Sequence, residues 1–345
     1  MNPGGAPARV RGSPVFRAGT RARTACARVA GVAWRLLTPG IGGGGARRAL
    51  ARAEGWQEAT MRRVGVIGGG LMGSEIAYVA ASHLKDGQVT VVDLNDEILA
   101  RSRARIRAVA DKAVSRGKAT RQAADEWLGR LAFTASMDGL SSAEIVIEAV
   151  TENLSMKRQV FAELDRRCGP QAILATNTSS LPITAIASAT SRPQQVIGLH
   201  FFNPVSVMRL VEIVRGYETA DAVYEAARAF CEELGKETIV ARDIPGFITT
   251  RVGILLVNEA IFALYEGIGT AADIDRGIKL GYNHPMGPLE LADLIGLDTV
   301  LNVITTLYEG FKDPKYRPCP LLKQMVDAGH LGRKSGRGFY TYGAA

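Results

Sequence analysis

The chain is short of the residues that build disulfide frameworks and metal sites. Among its 345 residues are four cysteines, Cys26, Cys168, Cys231 and Cys319, far apart and without a CxxC pair. They give no disulfide framework and no zinc signature, and reduced thiols inside a cell are the simplest reading. The four histidines, His83, His200, His284 and His330, are equally scattered, so no metal site is expected. No apolar run reaches the ~20 residues of a membrane helix, so no membrane partner is expected. Most of the chain also lacks a charge excess. Residues 1–60 hold ten arginines, no lysine and two acids, Glu54 and Glu58. Removing these from the totals of 42 basic and 34 acidic residues leaves 32 of each sign. The formal charge of +8 therefore belongs to the leader and gives no reason to expect a nucleic-acid partner.

That leader is rich in Arg, Gly, Ala and Pro, with one serine, eleven glycines and a Gly42–Gly45 run. It has no apolar stretch suited to a secretory signal. Two readings stay open. A mitochondrial transit peptide, implying the matrix, fits the arginines and the scarcity of acids but not the glycines. An upstream extension, with Met61 as the natural start of a cytoplasmic protein, fits the way Met61-Arg62-Arg63 leads straight into an apolar strand, and is favoured. Either way disorder is expected over most of 1–58.

Beyond the leader, strands and helices alternate. Strands are expected at Arg63–Ile67, Val89–Val92, 130–134, Glu144–Ala149, Ala172–Thr176, Val196–Phe201, Leu210–Val214 and Thr238–Ala241. Helices are expected over 96–115, 120–129, Met156–Arg167 and Ala220–Leu234. Strands alternating with helices over short connections predict an α/β fold, an open, mostly parallel sheet covered on both faces. After Asp243-Ile244-Pro245-Gly246 the strand pattern stops, and helical periodicity covers Phe247–Tyr265, 271–280, 287–310 and 320–328. The expected organisation is a leader over 1–60, an α/β domain over 61–244 and an all-α domain over 245–345.

Gly68-Gly69-Gly70-Leu71-Met72-Gly73 joins the first strand to a helix, and Asp93 ends the next strand. This is the context that a GxGxxG turn needs to be read as a Rossmann-type dinucleotide site. Gly68 permits the tight turn, Gly70 lets the backbone approach a pyrophosphate, and Gly73 lets helix and strand pack closely. The first N–H groups of the helix, from Leu71 and Met72 onward, face the phosphates. Asp93 would bind the ribose hydroxyls and repel a 2′-phosphate, which favours NAD over NADP. The alternative is a glycine turn that holds no ligand.

A second feature lies at Gly198-Leu199-His200-Phe201-Phe202-Asn203-Pro204, with Glu212 next along the chain inside Leu210-Val211-Glu212-Ile213-Val214. A histidine accepts a proton near neutral pH. A carboxylate among Leu, Val and Ile is costly unless something pairs with it. Together they suggest a buried general-base pair, against the plainer possibility of a core histidine and an edge-strand glutamate facing water.

These motifs, with Glu148-Ala149-Val150-Thr151-Glu152-Asn153-Leu154, Asn177-Thr178-Ser179-Ser180, Pro245-Gly246-Phe247, Pro285-Met286-Gly287-Pro288 and Gly336–Tyr340, closely resemble the short-chain L-3-hydroxyacyl-CoA dehydrogenases, over about 62–343. The resemblance implies an NAD-dependent oxidation of a 3-hydroxyacyl-CoA, in the short-chain 3-hydroxybutyryl-CoA range, by a homodimer joined through its helical domain. It implies His200 as general base, Glu212 as its partner, and Ser179 as a donor to the reacting oxygen. Glu152, Lys157 and Asn203 would line the nicotinamide–ribose side, and Lys334 would close over the cofactor. Thr250 stands where the family usually has an asparagine near the substrate. Val109 and Arg116 stand where the family often has Ser and Lys contacting the acyl-CoA, and Arg116 can still hold a phosphate. Related gulonate or 3-hydroxyisobutyrate dehydrogenases, or an NAD(H)-binding sensor without catalysis, remain the alternatives.

Overall fold

The computed structural model describes residues 61–343, so the expectation of disorder over 1–58 lies outside the described residues. Eight strands form one sheet in the order β3-β2-β1-β4-β5-β6-β7-β8. They are β1 Arg63–Ile67, β2 Gln88–Val92, β3 Leu131–Thr134, β4 Ile145–Glu148, β5 Ile173–Thr176, β6 Val196–Phe201, β7 Leu210–Arg215 and β8 Glu237–Arg242. Every neighbouring pair is parallel except β6 and β7. The inner strands β4, β5 and β6 are buried throughout. Such strands read as mostly apolar runs because both faces meet a helical layer, and their few polar residues, Glu148, Thr176 and His200, are near or at the carboxyl ends.

The covering helices are α1 Leu71–His83, α2 Asp96–Ser115, α3 Arg121–Gly129, α4 Leu154–Arg167, α5 Ile183–Ala187 and α6 Asp221–Glu233. Their starts are written locally. Asn95, Thr120 and Asn153 each accept a backbone N–H three residues on, closing the first turns of α2, α3 and α4. Leu99, Ser102, Ile106 and Ala110 make the buried stripe of α2 at helical spacing. Helix α5 has no counterpart among the sequence expectations. It is one turn long, too short to show a period, and its first N–H groups are capped from far along the chain. Asp243 accepts Ile183 N at 2.8 Å and Thr184 N at 2.7 Å.

Beyond β8 come α7 Thr249–Tyr265, α8 Ala271–Gly281, α9 Pro288–Ile295, α10 Leu297–Phe311 and α11 Pro320–Asp327. They share a core that includes Val257, Ile261, Leu289, Val300, Ile304 and Tyr316. One helix is expected over 287–310, and two are found, bent by 100°. The break is Gly296, whose φ of 99° no right-handed helix accommodates.

The turn after β1 shows why Gly73 is required. A Cβ there would lie 1.8 Å from the carbonyl oxygen of Gly68, which is backbone and cannot step aside. Gly73→Ala should therefore destabilise the protein by at least the ~1–3 kcal/mol of an overpacked core. The affinity for NADH should fall with it, as a thermal melt and a fluorescence titration would show.

Candidate active site

The carboxyl ends of β1, β4, β5 and β6 meet on one edge of the sheet, where open α/β sheets bind ligands. On this edge the chain can hold a dinucleotide. Gly70 caps α1 without a side chain, and a Cβ placed on it would meet nothing within 4 Å. The space beside the first turn of α1, where Leu71 and Met72 stand, is thus open, as the approach of a pyrophosphate requires. Asp93 lies just past the end of β2, and its carboxylate takes Gly69 N at 2.5 Å and Leu94 N at 2.6 Å. That ties the acid to the glycine turn beside which a ribose would lie.

On the same edge His200 and Glu212 are direct partners in the antiparallel register of β6 and β7. His200 Nδ1 is 3.1 Å from Glu212 Oε2. Glu212 is fully buried, and the start of α7 closes over it. Its Oε1 accepts Ile248 N at 2.7 Å and Thr249 N at 3.3 Å, and its Oε2 accepts the Thr249 hydroxyl at 2.7 Å. Burial pushes the Glu212 pKa up, but the bonds from His200, Thr249 and Ile248 outweigh it and hold the carboxyl below its ordinary range. An ionised carboxylate can only accept, so Nδ1 must donate, which leaves the Nε2 lone pair to receive a proton. Phe202 packs on the imidazole at a ring-centroid distance of 4.4 Å, with Phe247 at 6.1 Å.

Ser179 lies just beyond β5, next to β6, where Asn177 Oδ1 accepts Phe201 N at 2.8 Å. Its turn is held by Glu152, whose Oε1 accepts Ser179 N at 3.0 Å, the Thr178 hydroxyl at 2.5 Å and the Ser180 hydroxyl at 3.3 Å. Lys157 is 1% exposed and turned inward. Its ammonium is 2.7 Å from Glu148 Oε1 and 3.5 Å from Glu152 Oε2. It therefore reaches this edge through Glu152. Asn203 is exposed just past the end of β6.

Other expected residues stand apart from this cluster. Thr250 is half-buried in the first turn of α7, but its neighbour Thr249 makes the bond to Glu212. Arg116 is exposed at the end of α2, and the nearby Val109 packs against the sheet core. Lys334 belongs to the helical part, bound to both oxygens of Asp298 at 2.5 and 2.7 Å. Sequence reasoning missed Thr249, and it named Glu148 only within the Glu148–Leu154 motif without giving it a role, although a carboxylate ending an apolar strand is a local signal.

Because the Glu212 pKa is depressed in the folded state, its contribution to stability is present above about pH 4.5 and is lost as the pH falls through the lower folded value. Thr249→Val removes one hydroxyl donor to this carboxylate. Hydrogen bonds to charged groups contribute about 1.5–3 kcal/mol, so the denaturation midpoint should fall accordingly. Acid unfolding should begin at a higher pH than in the wild type, which a pH series of denaturant melts would check.

A glycine turn of the dinucleotide-binding kind with a buried, hydrogen-bonded histidine–glutamate pair on the same edge is an arrangement suited to a nicotinamide-dependent oxidoreductase. Comparison with known proteins is more specific. Residues 63–244 match the NAD-binding domain of 3-hydroxyacyl-CoA dehydrogenase, and residues 246–342 match its C-terminal domain. A 3-hydroxybutyryl-CoA dehydrogenase of Bradyrhizobium diazoefficiens is 47% identical over 287 residues, 83% of this chain and 97% of that one. The mitochondrial hydroxyacyl-coenzyme A dehydrogenase of Rattus norvegicus is 40% identical over 290 residues, 82% and 91% of the two chains. The crystal structure of (S)-3-hydroxybutyryl-CoA dehydrogenase from Ralstonia eutropha superposes with a TM-score of 0.79 at 44% identity, over 82% of this chain and all of that one. The chain belongs to the 3-hydroxyacyl-CoA dehydrogenase family, and its cofactor is NAD.

Proposed function

We propose that the protein interconverts short-chain L-3-hydroxyacyl-CoA and 3-ketoacyl-CoA, with 3-hydroxybutyryl-CoA as the representative substrate and His200 and Glu212 as the proton-handling pair. The observation that carries this reading is the 3.1 Å bond between His200 Nδ1 and the Glu212 carboxylate on the ligand-binding edge of the sheet. The glycine turn and Asp93 would hold NAD, which would supply the hydride acceptor for C3. His200 Nε2 takes the hydroxyl proton, while Glu212 holds the ring in that tautomer and stabilises the imidazolium that forms. The Ser179 hydroxyl donates to the reacting oxygen from a turn that Glu152 keeps rigid. Asn203 and Glu152 would line the nicotinamide–ribose side, and Lys157 holds Glu152 in place. In the opposite direction His200 returns the proton to the nascent alkoxide. Arg116 and Thr250 are assigned to the acyl-CoA, and Lys334 to closure over the cofactor.

The decisive assay is reduction of acetoacetyl-CoA with NADH and NADPH side by side. Turnover with NADH well above that with NADPH is expected, and no turnover with either would leave a binding protein without catalysis. The helical part is assigned to subunit contact, since Val252, Tyr265, Ile268, Leu280 and Tyr282 are all exposed there. Native mass measurement should give twice the chain mass.

A further inference from the structure

One buried carboxylate beside the glycine turn has no part in this scheme. Glu75 stands in the second turn of α1, 7% exposed. Its Oε2 accepts the backbone N–H of Ser206 at 3.1 Å and lies 3.4 Å from the Ser206 hydroxyl. Lys236, buried just before β8, donates Nζ to the carbonyls of Val205 at 2.5 Å and Met208 at 2.9 Å. Both charged groups bond to the segment 203–208, which continues β6 past His200 and carries Asn203. Internally it is closed by Val207 N and Met208 N, both bonded to the Pro204 carbonyl. Val205 is buried, but Asn203, Ser206, Val207 and Met208 are exposed, so apolar packing does little to fix the segment's height. Buried charged groups from two distant elements fix it instead. One of them sits on the helix whose N-terminus anchors the dinucleotide.

We propose that Glu75 and Lys236 are positioning residues that set the 203–208 segment, and with it Asn203 and His200, at a fixed distance from the cofactor-bearing helix α1. This rests on the reading of His200 as the proton acceptor. Burial disfavours the Lys236 ammonium, and the neighbouring Cys231 and Glu75 oppose that effect. Glu75 thus favours the Lys236 ammonium, and the two side chains grip different backbone groups of the same segment. A misplacement of ~1 Å at a reacting centre costs about a hundredfold in rate, and a segment held by so few bonds is sensitive to losing one.

The test uses the full chain with Glu75→Ala, Glu75→Gln, Glu75→Asp and Lys236→Met. It reads kcat, KM and the primary deuterium isotope effect on kcat, using acetoacetyl-CoA and NADH deuterated at the transferred position. Active sites are counted by NADH titration. For Glu75→Ala a fall in kcat of roughly ten- to hundredfold is expected. KM for both substrates should stay within about threefold, and the isotope effect should rise because hydride transfer limits more of the turnover. Glu75→Gln should recover most of the rate, since its amide oxygen still accepts Ser206 N–H. Lys236→Met should behave like Glu75→Ala. If Glu75→Ala does not fold, Glu75→Asp gives the same readout with the charge kept and the reach shortened. A lower melting temperature with unchanged kcat per site and an unchanged isotope effect would mean a structural brace only and would overturn the proposal. His200→Gln, run alongside, tests the functional reading separately, because it can fail while Glu75→Ala still slows turnover.

Discussion

His200→Gln should fold, bind NADH and lose about 10²–10⁴-fold in kcat, the range for removal of a positioned acid–base group. The substitution isolates chemistry from stability. The glutamine amide can still donate to Glu212 Oε2, and that carboxylate keeps its bonds to Ile248 N, Thr249 N and the Thr249 hydroxyl. No buried charge is stranded, so the melting temperature should stay close to wild type. What disappears is the Nε2 lone pair, which the amide does not replace because it is not a base in this range. Steady-state turnover with acetoacetyl-CoA and NADH, beside an NADH fluorescence titration, separates the two effects. Turnover within tenfold of wild type would remove His200 from the proton path.

Much of the sheet is legible in the sequence because parallel strands covered on both faces appear as largely apolar runs. Ile145-Val146-Ile147 in β4 is such a run. The glycine turn is legible because Gly68 and Gly73 answer local constraints, a left-handed φ and a contact with backbone five residues away. Glu212 is legible as an anomaly, a single acid in an apolar run. What holds it is not. The capping N–H groups of Ile248 and Thr249 arrive from 36 and 37 residues on, and nothing local to either segment announces the meeting. The bond between Glu75 and Ser206 spans 131 positions. The cap that Asp243 places on α5 spans 60. Each joins residues ordinary in their own neighbourhoods. The bend at Gly296 is a different kind of miss. Apolar spacing runs through it, and a single glycine within a helical pattern does not by itself say whether it is tolerated or breaks the helix.

The largest stability effect belongs to the buried ion pair beneath Ser179. Glu148 is 0% exposed and Lys157 1%. Glu148 Oε1 takes Lys157 Nζ and Val150 N, both at 2.7 Å, and its Oε2 takes the Thr176 hydroxyl at 2.7 Å. Glu148→Ala leaves the buried ammonium with only the longer contacts to Glu152 at 3.5 Å and the Val150 carbonyl at 3.3 Å, and Lys157→Met leaves a buried carboxylate without its counter-charge. Breaking a buried pair from one side costs about 3–5 kcal/mol, so each single variant should unfold well below the wild-type midpoint in denaturant. Replacing both charges removes that penalty, and apolar pairs of similar volume are often neutral or better. The double variant Glu148→Leu, Lys157→Met should therefore be more stable than either single variant, though still below wild type because Val150 N and the Thr176 hydroxyl lose their acceptor. Turnover should not return with stability. Lys157 also holds Glu152, and Glu152 is the acceptor on which the Ser179 turn is built. A double variant that regains both stability and kcat would show that the pair serves folding alone. Recovered stability with depressed kcat would place Lys157 in the support of the Ser179 hydroxyl, one layer behind the chemistry.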